Sequence, residues 1–99
     1  MKLQMHSIRF DADQKLIDFI QRKANKLDKF FDRIIDGEVF MRLDRDSEME
    51  NKIVEIKLNI PRNQLFAKEK AKTFEEASDM AVEALRRQII KHKDKIITH

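Results

Sequence analysis

The amino-acid sequence predicts an α+β domain of order β-α-β-β-β-α, a four-stranded mixed sheet with two helices packed on one of its faces. Three observations carry that prediction. Apolar residues recur at helical spacing in two segments, 13–31 and 73–99, and at alternate positions in the four segments before and between them. One glycine and one proline occur in 99 residues, so irregular structure is scarce and the elements are long. Each predicted strand has a single apolar side, so both helices must cover the same face.

Taken in order, Lys2 to Phe10 alternates, with Leu3 and Met5 on one side and Ile8 and Phe10 following after a slip. That predicts a short strand ending near Ser7–Arg9. Asp13 is placed to cap the first helix, which is expected to run to Phe31. Its apolar face is Leu16, Ile17, Ile20, Ala24, Leu27 and Phe31, with Phe30 at the margin. Asp36-Gly37 reads as a turn. Glu38 to Arg45 then alternates with Val39, Met41 and Leu43 inward and Phe40 outward. Asp46 to Asn51 is polar and reads as a hairpin loop. Lys52 to Ile60 places Val54, Ile56, Leu58 and Ile60 inward. Pro61-Arg62-Asn63 is a turn, because proline cannot continue a central ladder. Gln64 to Lys72 is the last strand, with Leu65, Ala67 and Ala71 inward, Phe66 outward, and Glu69 on the apolar side near the end of the sheet.

The second helix, Thr73 to His99, opens on Thr73-Phe74-Glu75-Glu76, the form of a capping box. Phe74, Ala77, Ala81, Leu85, Ile89, His92 and Ile96 make its apolar side. A right-handed crossover through the first helix makes the first two strands parallel, and two hairpins make the rest antiparallel. The predicted core contains Phe19, Leu27, Phe31, Val54, Ile56, Ala81, Leu85 and Ile89.

Composition narrows the function. The chain is long enough for one core and too short for two. Cysteine is absent, which removes disulfide and thiolate chemistry, and no apolar run approaches the ~20 residues of a membrane span. The N-terminal residues lack a secretory apolar core, so a cytoplasmic setting is expected. No serine sits in a nucleophile motif, the three histidines are scattered, and no ligand spacing suggests a metal or another cofactor. A single glycine excludes a phosphate-cradling loop and the GXXG clamp of a KH domain. An enzyme is therefore not expected.

The net charge of +3 is modest, but the charge is sorted. On the first helix, Lys15, Arg22, Lys26, Lys29 and Arg33 fall within about 40° of one line, with Lys23 nearer the core boundary. Asp18, Asp28 and Asp32 lie across from them. On the second helix, acids come first and Arg86, Arg87, Lys91, Lys93 and Lys95 follow. Complementing the helix dipole explains the order, but it does not call for five basic residues against one acid after residue 85. Such sorting points to a polyanionic partner. A different class of reading is a protein-interaction module using the outer sheet face, where Phe40 and Phe66 project. An RRM would stack bases there, but its order, βαββαβ, does not match.

Two blocks in the helices carry a resemblance. Lys26-Leu27-Asp28-Lys29-Phe30-Phe31-Asp32-Arg33-Ile34 resembles A-K-L-E-x-[YFW]-F-D-R-I of the ribosome hibernation-promoting factors, also called protein Y or ribosome-associated inhibitor. Arg87-Gln88-Ile89-Ile90-Lys91-His92-Lys93-Asp94-Lys95 resembles that family's R-Q-[LI]-x-K-H-K-D-K block. The likeness spans nearly the whole chain; Ser78 departs from it, standing where an aliphatic residue is usual. The resemblance implies a fold similar to a double-stranded-RNA-binding domain. It also implies a factor that binds the small ribosomal subunit, a 16S-type rRNA surface, in the channel of mRNA and the A- and P-site tRNAs. Such a factor inhibits translation and preserves idle ribosomes in starvation or stationary phase. Carried over by motif position, the rRNA contacts would be Lys23, Lys26, Lys29, Arg87, Lys91, Lys93 and Lys95, to which the basic stripe adds Arg22. The expectation is one ribosome-binding domain over 1–99, monomeric off the ribosome and without the C-terminal dimerisation domain of long members. Pairing of ribosomes would then need a separate helper protein.

Overall fold

A computed structural model describes residues 1–29, 31–46 and 48–97, with side chains through residue 94. The elements are β1 (Lys2–Ser7), α1 (Gln14–Asn25), a 3-10 turn (Lys26–Lys29), β2 (Asp36–Leu43), β3 (Lys52–Ile60), β4 (Asn63–Ala71) and α2 (Phe74–Ile97). The sheet order is β1-β2-β3-β4, with β1 parallel to β2 and both other pairs antiparallel. A single apolar cluster joins Val39, Met41, Val54, Ile56 and Leu58 of the sheet to Ile20 and Leu27 of the first helical segment and to Ala77, Ala81, Leu85 and Ile89 of α2. Both helices therefore share one face of the sheet, as each strand's single apolar side requires.

The helix starts follow the sequence. Asp13 accepts the Leu16 N–H at 2.8 Å, and Thr73 accepts the Glu76 N–H at 3.0 Å. Ser78 is fully buried without penalty because its hydroxyl donates to the Phe74 carbonyl at 2.7 Å. Gln88 of α2 covers the outer edge of β4: its side chain donates to the Phe66 carbonyl at 2.7 Å and accepts the Phe66 N–H at 3.4 Å. An edge strand that would otherwise present open hydrogen-bonding groups is thus partly closed.

Four expectations need correction. The first α-helix stops at Asn25, and Lys26–Lys29 tightens into a 3-10 turn rather than continuing to Phe31. Gly37 is not a turn residue but lies inside β2, paired with both Leu3 and Leu58. A β-carbon there would meet Leu58 Cδ2 at 2.7 Å, Lys57 O at 2.7 Å and Leu3 Cδ2 at 2.8 Å, so the glycine serves close packing. Phe19 is only half-buried, packed on the margin of the core rather than within it. Leu43, expected inward, is 46% exposed at the end of β2.

The slip at the end of the first strand has a backbone cause. Arg9 takes a left-handed conformation, φ 64°, after β1 has ended. The reversal returns Phe10 to the core side, where it stacks on Phe74.

Candidate nucleic-acid interface

The two helices run in the same direction, and three contacts fix their relative register. Phe10, ahead of α1, stacks on Phe74 at the start of α2 with ring centroids 5.0 Å apart. Lys23 of α1 meets Asp79 of α2 at 3.1 Å. Phe31, beyond the 3-10 turn, meets the His92 ring edge-on at 5.7 Å. Lys26 and Lys29 lie between the second and third contacts, abreast of the part of α2 that carries Arg86, Arg87 and Lys91. The basic ends of the two helices consequently share one end of the molecule. In a 3-10 turn, residues three apart eclipse, so Lys26 and Lys29 stand one above the other.

Within this surface the predicted residues divide by what they touch. Lys26, Lys29 and Lys91 are exposed, and among the described residues they make no ion pair. Arg22 is exposed, with its guanidinium 5.9 Å from the Phe19 ring centroid. Lys23 is more restrained: besides pairing with Asp79, its ammonium lies 5.4 Å from the same ring. It links the helices, at the core margin that its helical angle indicates. Arg87 is exposed and 4.0 Å from Glu83. Lys93 is half-buried, and the Lys95 side chain lies outside the described residues.

Glu83 is drawn mainly to Arg86, which donates to it from Nε at 3.0 and 3.1 Å and from Nη2 at 2.5 Å. Those bonds, with the charges of Arg86 and Arg87, hold the Glu83 carboxyl below the usual carboxylate range and raise the Arg86 pKa in turn. Arg86 is thereby matched locally, while the flank of Arg87 and Lys91 keeps most of its positive charge. This arrangement can grip backbone phosphates: lysines act as point charges and arginine as a bidentate fork.

Two further cations escaped the sequence reading of the site. Arg33 follows the 3-10 turn, and Arg62 occupies the β3–β4 turn; both are exposed at the mouth of a cleft beside His92. Arg33 was visible as the last member of the basic stripe, whereas Arg62 belongs to no periodic pattern. Among the described residues no group of three His, Asp or Glu could hold a metal ion, and no helix is long and apolar enough to cross a membrane.

A sheet of this order with two same-facing helices and a sorted basic end defines a small α+β domain with a cationic helix surface, and comparisons with known proteins give the family. The model of the Sigma 54 modulation protein / S30EA ribosomal protein family matches residues 3–97, and the chain belongs to that family. A ribosome hibernation promoting factor of Klebsiella oxytoca is 26% identical over 99 residues, which span the full length of both chains. One from Azotobacter vinelandii is 29% identical over 97 residues, covering 98% of this chain and 87% of that one. A ribosome hibernation promotion factor of Bacillus subtilis is 29% identical over 98 residues that cover 97% of this chain but 50% of the longer relative. Among solved structures, a ribosomal subunit interface protein from Coxiella burnetii superimposes with a TM-score of 0.85 at 19% identity, covering 95% of this chain and 99% of its own. The N-terminal domain of Thermus thermophilus Protein Y gives 0.81 at 19% identity, covering 93% and 99%. These two likenesses bear on the fold.

Proposed function

We propose that this chain is a ribosome hibernation factor that binds the small ribosomal subunit in the channel of mRNA and the A- and P-site tRNAs. Occupying that channel inhibits translation and keeps idle ribosomes intact in starved or stationary cells. The observation that carries the reading is the gathering of Lys26 and Lys29 with Arg87 and Lys91 at one end of the paired helices. Phosphate contacts of this kind supply affinity and position without reading base sequence. Specificity then comes from the folded shape of the rRNA matching the spacing of the two basic runs. Family membership and the names of the relatives support the same reading. Purified protein mixed with separated subunits should sediment with the small subunit and compete with mRNA and tRNA for it. Sedimentation only with the large subunit, or undiminished tRNA binding in the presence of saturating protein, would refute the proposal.

A further inference from the structure

Beside the last turns of α2, a cleft of about 570 Å³ opens between three segments that are distant in sequence. Phe31 and Arg33 come from the chain after the 3-10 turn, Pro61, Arg62 and Asn63 from the β3–β4 turn, and His92 from α2. Its volume falls in the range of roughly 300–1,000 Å³ typical of small-ligand sites. The lining has two chemistries. Pro61 and the half-buried His92 ring offer apolar and aromatic surface, with the buried Phe31 as the floor that meets His92 edge-on, while Arg33 and Arg62 are exposed cations; among the described residues no carboxylate lines the cleft.

The backbone at Arg62 adds a second observation. Pro61 followed by a residue at φ 65° is the pattern of a type II turn, whose second central position ordinarily takes glycine or asparagine. An arginine held there carries a conformational cost that the turn itself does not require. The Asn63 side chain fixes the same turn by accepting the Gln64 N–H at 2.8 Å. The cleft draws on the same two chain segments as the proposed phosphate-binding surface, since Lys29 closely precedes Phe31 and Lys91 directly precedes His92.

We infer that the cleft receives one unstacked nucleotide of the bound RNA, its base against His92 and Pro61 above the buried Phe31 and its phosphate between Arg33 and Arg62. Aromatic faces and guanidinium planes are the groups that hold splayed-out RNA bases, and an arginine pair suits the attached phosphate. The inference rests on the helix surface being an RNA interface, and it adds a base-sized pocket to a surface otherwise limited to backbone contacts.

The probe is the purified small subunit, read by base-specific chemical modification of its rRNA with and without protein. Wild-type protein should change the base reactivity of one unpaired nucleotide inside a broader backbone footprint. Arg62→Gly keeps the left-handed turn and removes the guanidinium; Arg33→Gln neutralises the other side. The double variant should bind about tenfold more weakly and lose that single base signal while the footprint under the helices persists. Should the turn substitution disturb folding, as urea melts would reveal, Arg33→Gln alone is read for the same signal. A footprint containing no arginine-dependent nucleotide overturns the inference and leaves the helix surface standing. The absence of any wild-type footprint on the subunit overturns both.

Discussion

The two broad faces of this molecule are both rich in cations and differ in what those cations are attached to. On the outer sheet face nearly every one has a counter-group. Arg42 donates to Glu55 at 2.6 Å, Lys68 lies 3.8 Å from the same carboxylate, and Lys70 meets Asp44 at 3.0 Å. His6 stacks on Phe40 and approaches Glu38, while Lys57 hovers 6.0 Å from the Phe40 centroid. On the helix face Lys23, Arg86 and Arg87 also meet carboxylates, but Lys26, Lys29 and Lys91 have no such partners among the described residues. A paired charge makes a short-range dipole, whereas sorted like charges add to a field that reaches a polyanion. The positions of counter-charges, rather than the number of cations, therefore distinguish the two faces.

Charge reversal is the strongest way to break that comparison. Lys26→Glu combined with Lys91→Glu should weaken binding to small subunits by about a hundredfold or more, since two phosphate contacts become repulsions. Neutral Lys26→Gln and Lys91→Gln should each flatten the log–log salt dependence by roughly 0.7–0.9 units, the share of one lost phosphate contact. On the sheet face, Lys57→Gln and Lys68→Gln should leave both affinity and slope close to wild type. Binding constants across a salt series measure all of these. If the sheet-face variants lose as much as the helix-face variants, Phe66, which is 46% exposed, becomes the centre of the interface instead.

Stability should divide the faces in the opposite sense. Arg42→Ala leaves the half-buried Glu55 carboxylate without its closest partner, with Lys68 only at 3.8 Å. A loss of roughly 1–2 kcal/mol is expected in urea melts. Lys26→Ala and Lys91→Ala should stay within about 0.5 kcal/mol of wild type, as exposed and unpaired side chains do. Equal losses on both faces would mean that the helix-face lysines hold the fold together.

The sequence was most legible where its signals are local. Alternation in 52–60 and helical spacing in 74–89 gave the core, because burial with a period of 2 or 3.6 leaves its pattern in the chain itself. Asp13 and Thr73 marked the helix starts for the same reason. The end of the first helix was not legible, since no proline or glycine breaks Lys26–Lys29 and the tightening accompanies burial of Leu27 and Phe31. Gly37 resembled a turn residue because its reason lies across two strand pairings, with Leu3 and Leu58. At the candidate site, the stripes showed which cations cluster. Which of them are matched was hidden, because Asp79 reaches Lys23 across the helix interface rather than at a helical spacing. Arg62 was hidden too, being placed by a hairpin turn beside residues distant in sequence.

The smallest expected effect is an acid-range difference between the faces, and it follows from the Glu55 cluster. The hydrogen bond from Arg42 is the main influence holding the Glu55 carboxyl below the usual range; burial opposes it, and the charges of Arg42, Lys68 and Lys57 add to it. Asp44 is lowered as well, first by the Asp46 backbone N–H and then by Lys70. A carboxyl whose pKa is lower folded than unfolded binds fewer protons in the native state, so stability rises with pH across that window. Its contribution is complete above the unfolded value, about 4.3 for glutamate, and disappears as pH falls through the folded value. Glu55→Gln removes one such group. Its stability should therefore fall less steeply than that of wild type as pH drops below about 5, and the gap between the two proteins should narrow. Lys26→Gln and Lys91→Gln should track wild type through the same range, having no carboxylate partner to lose. Urea melts at a series of pH values test this. A Glu55→Gln curve parallel to wild type would mean that the Arg42 pairing survives unfolding or is too weak to matter, and the sheet face would then differ from the helix face in geometry alone.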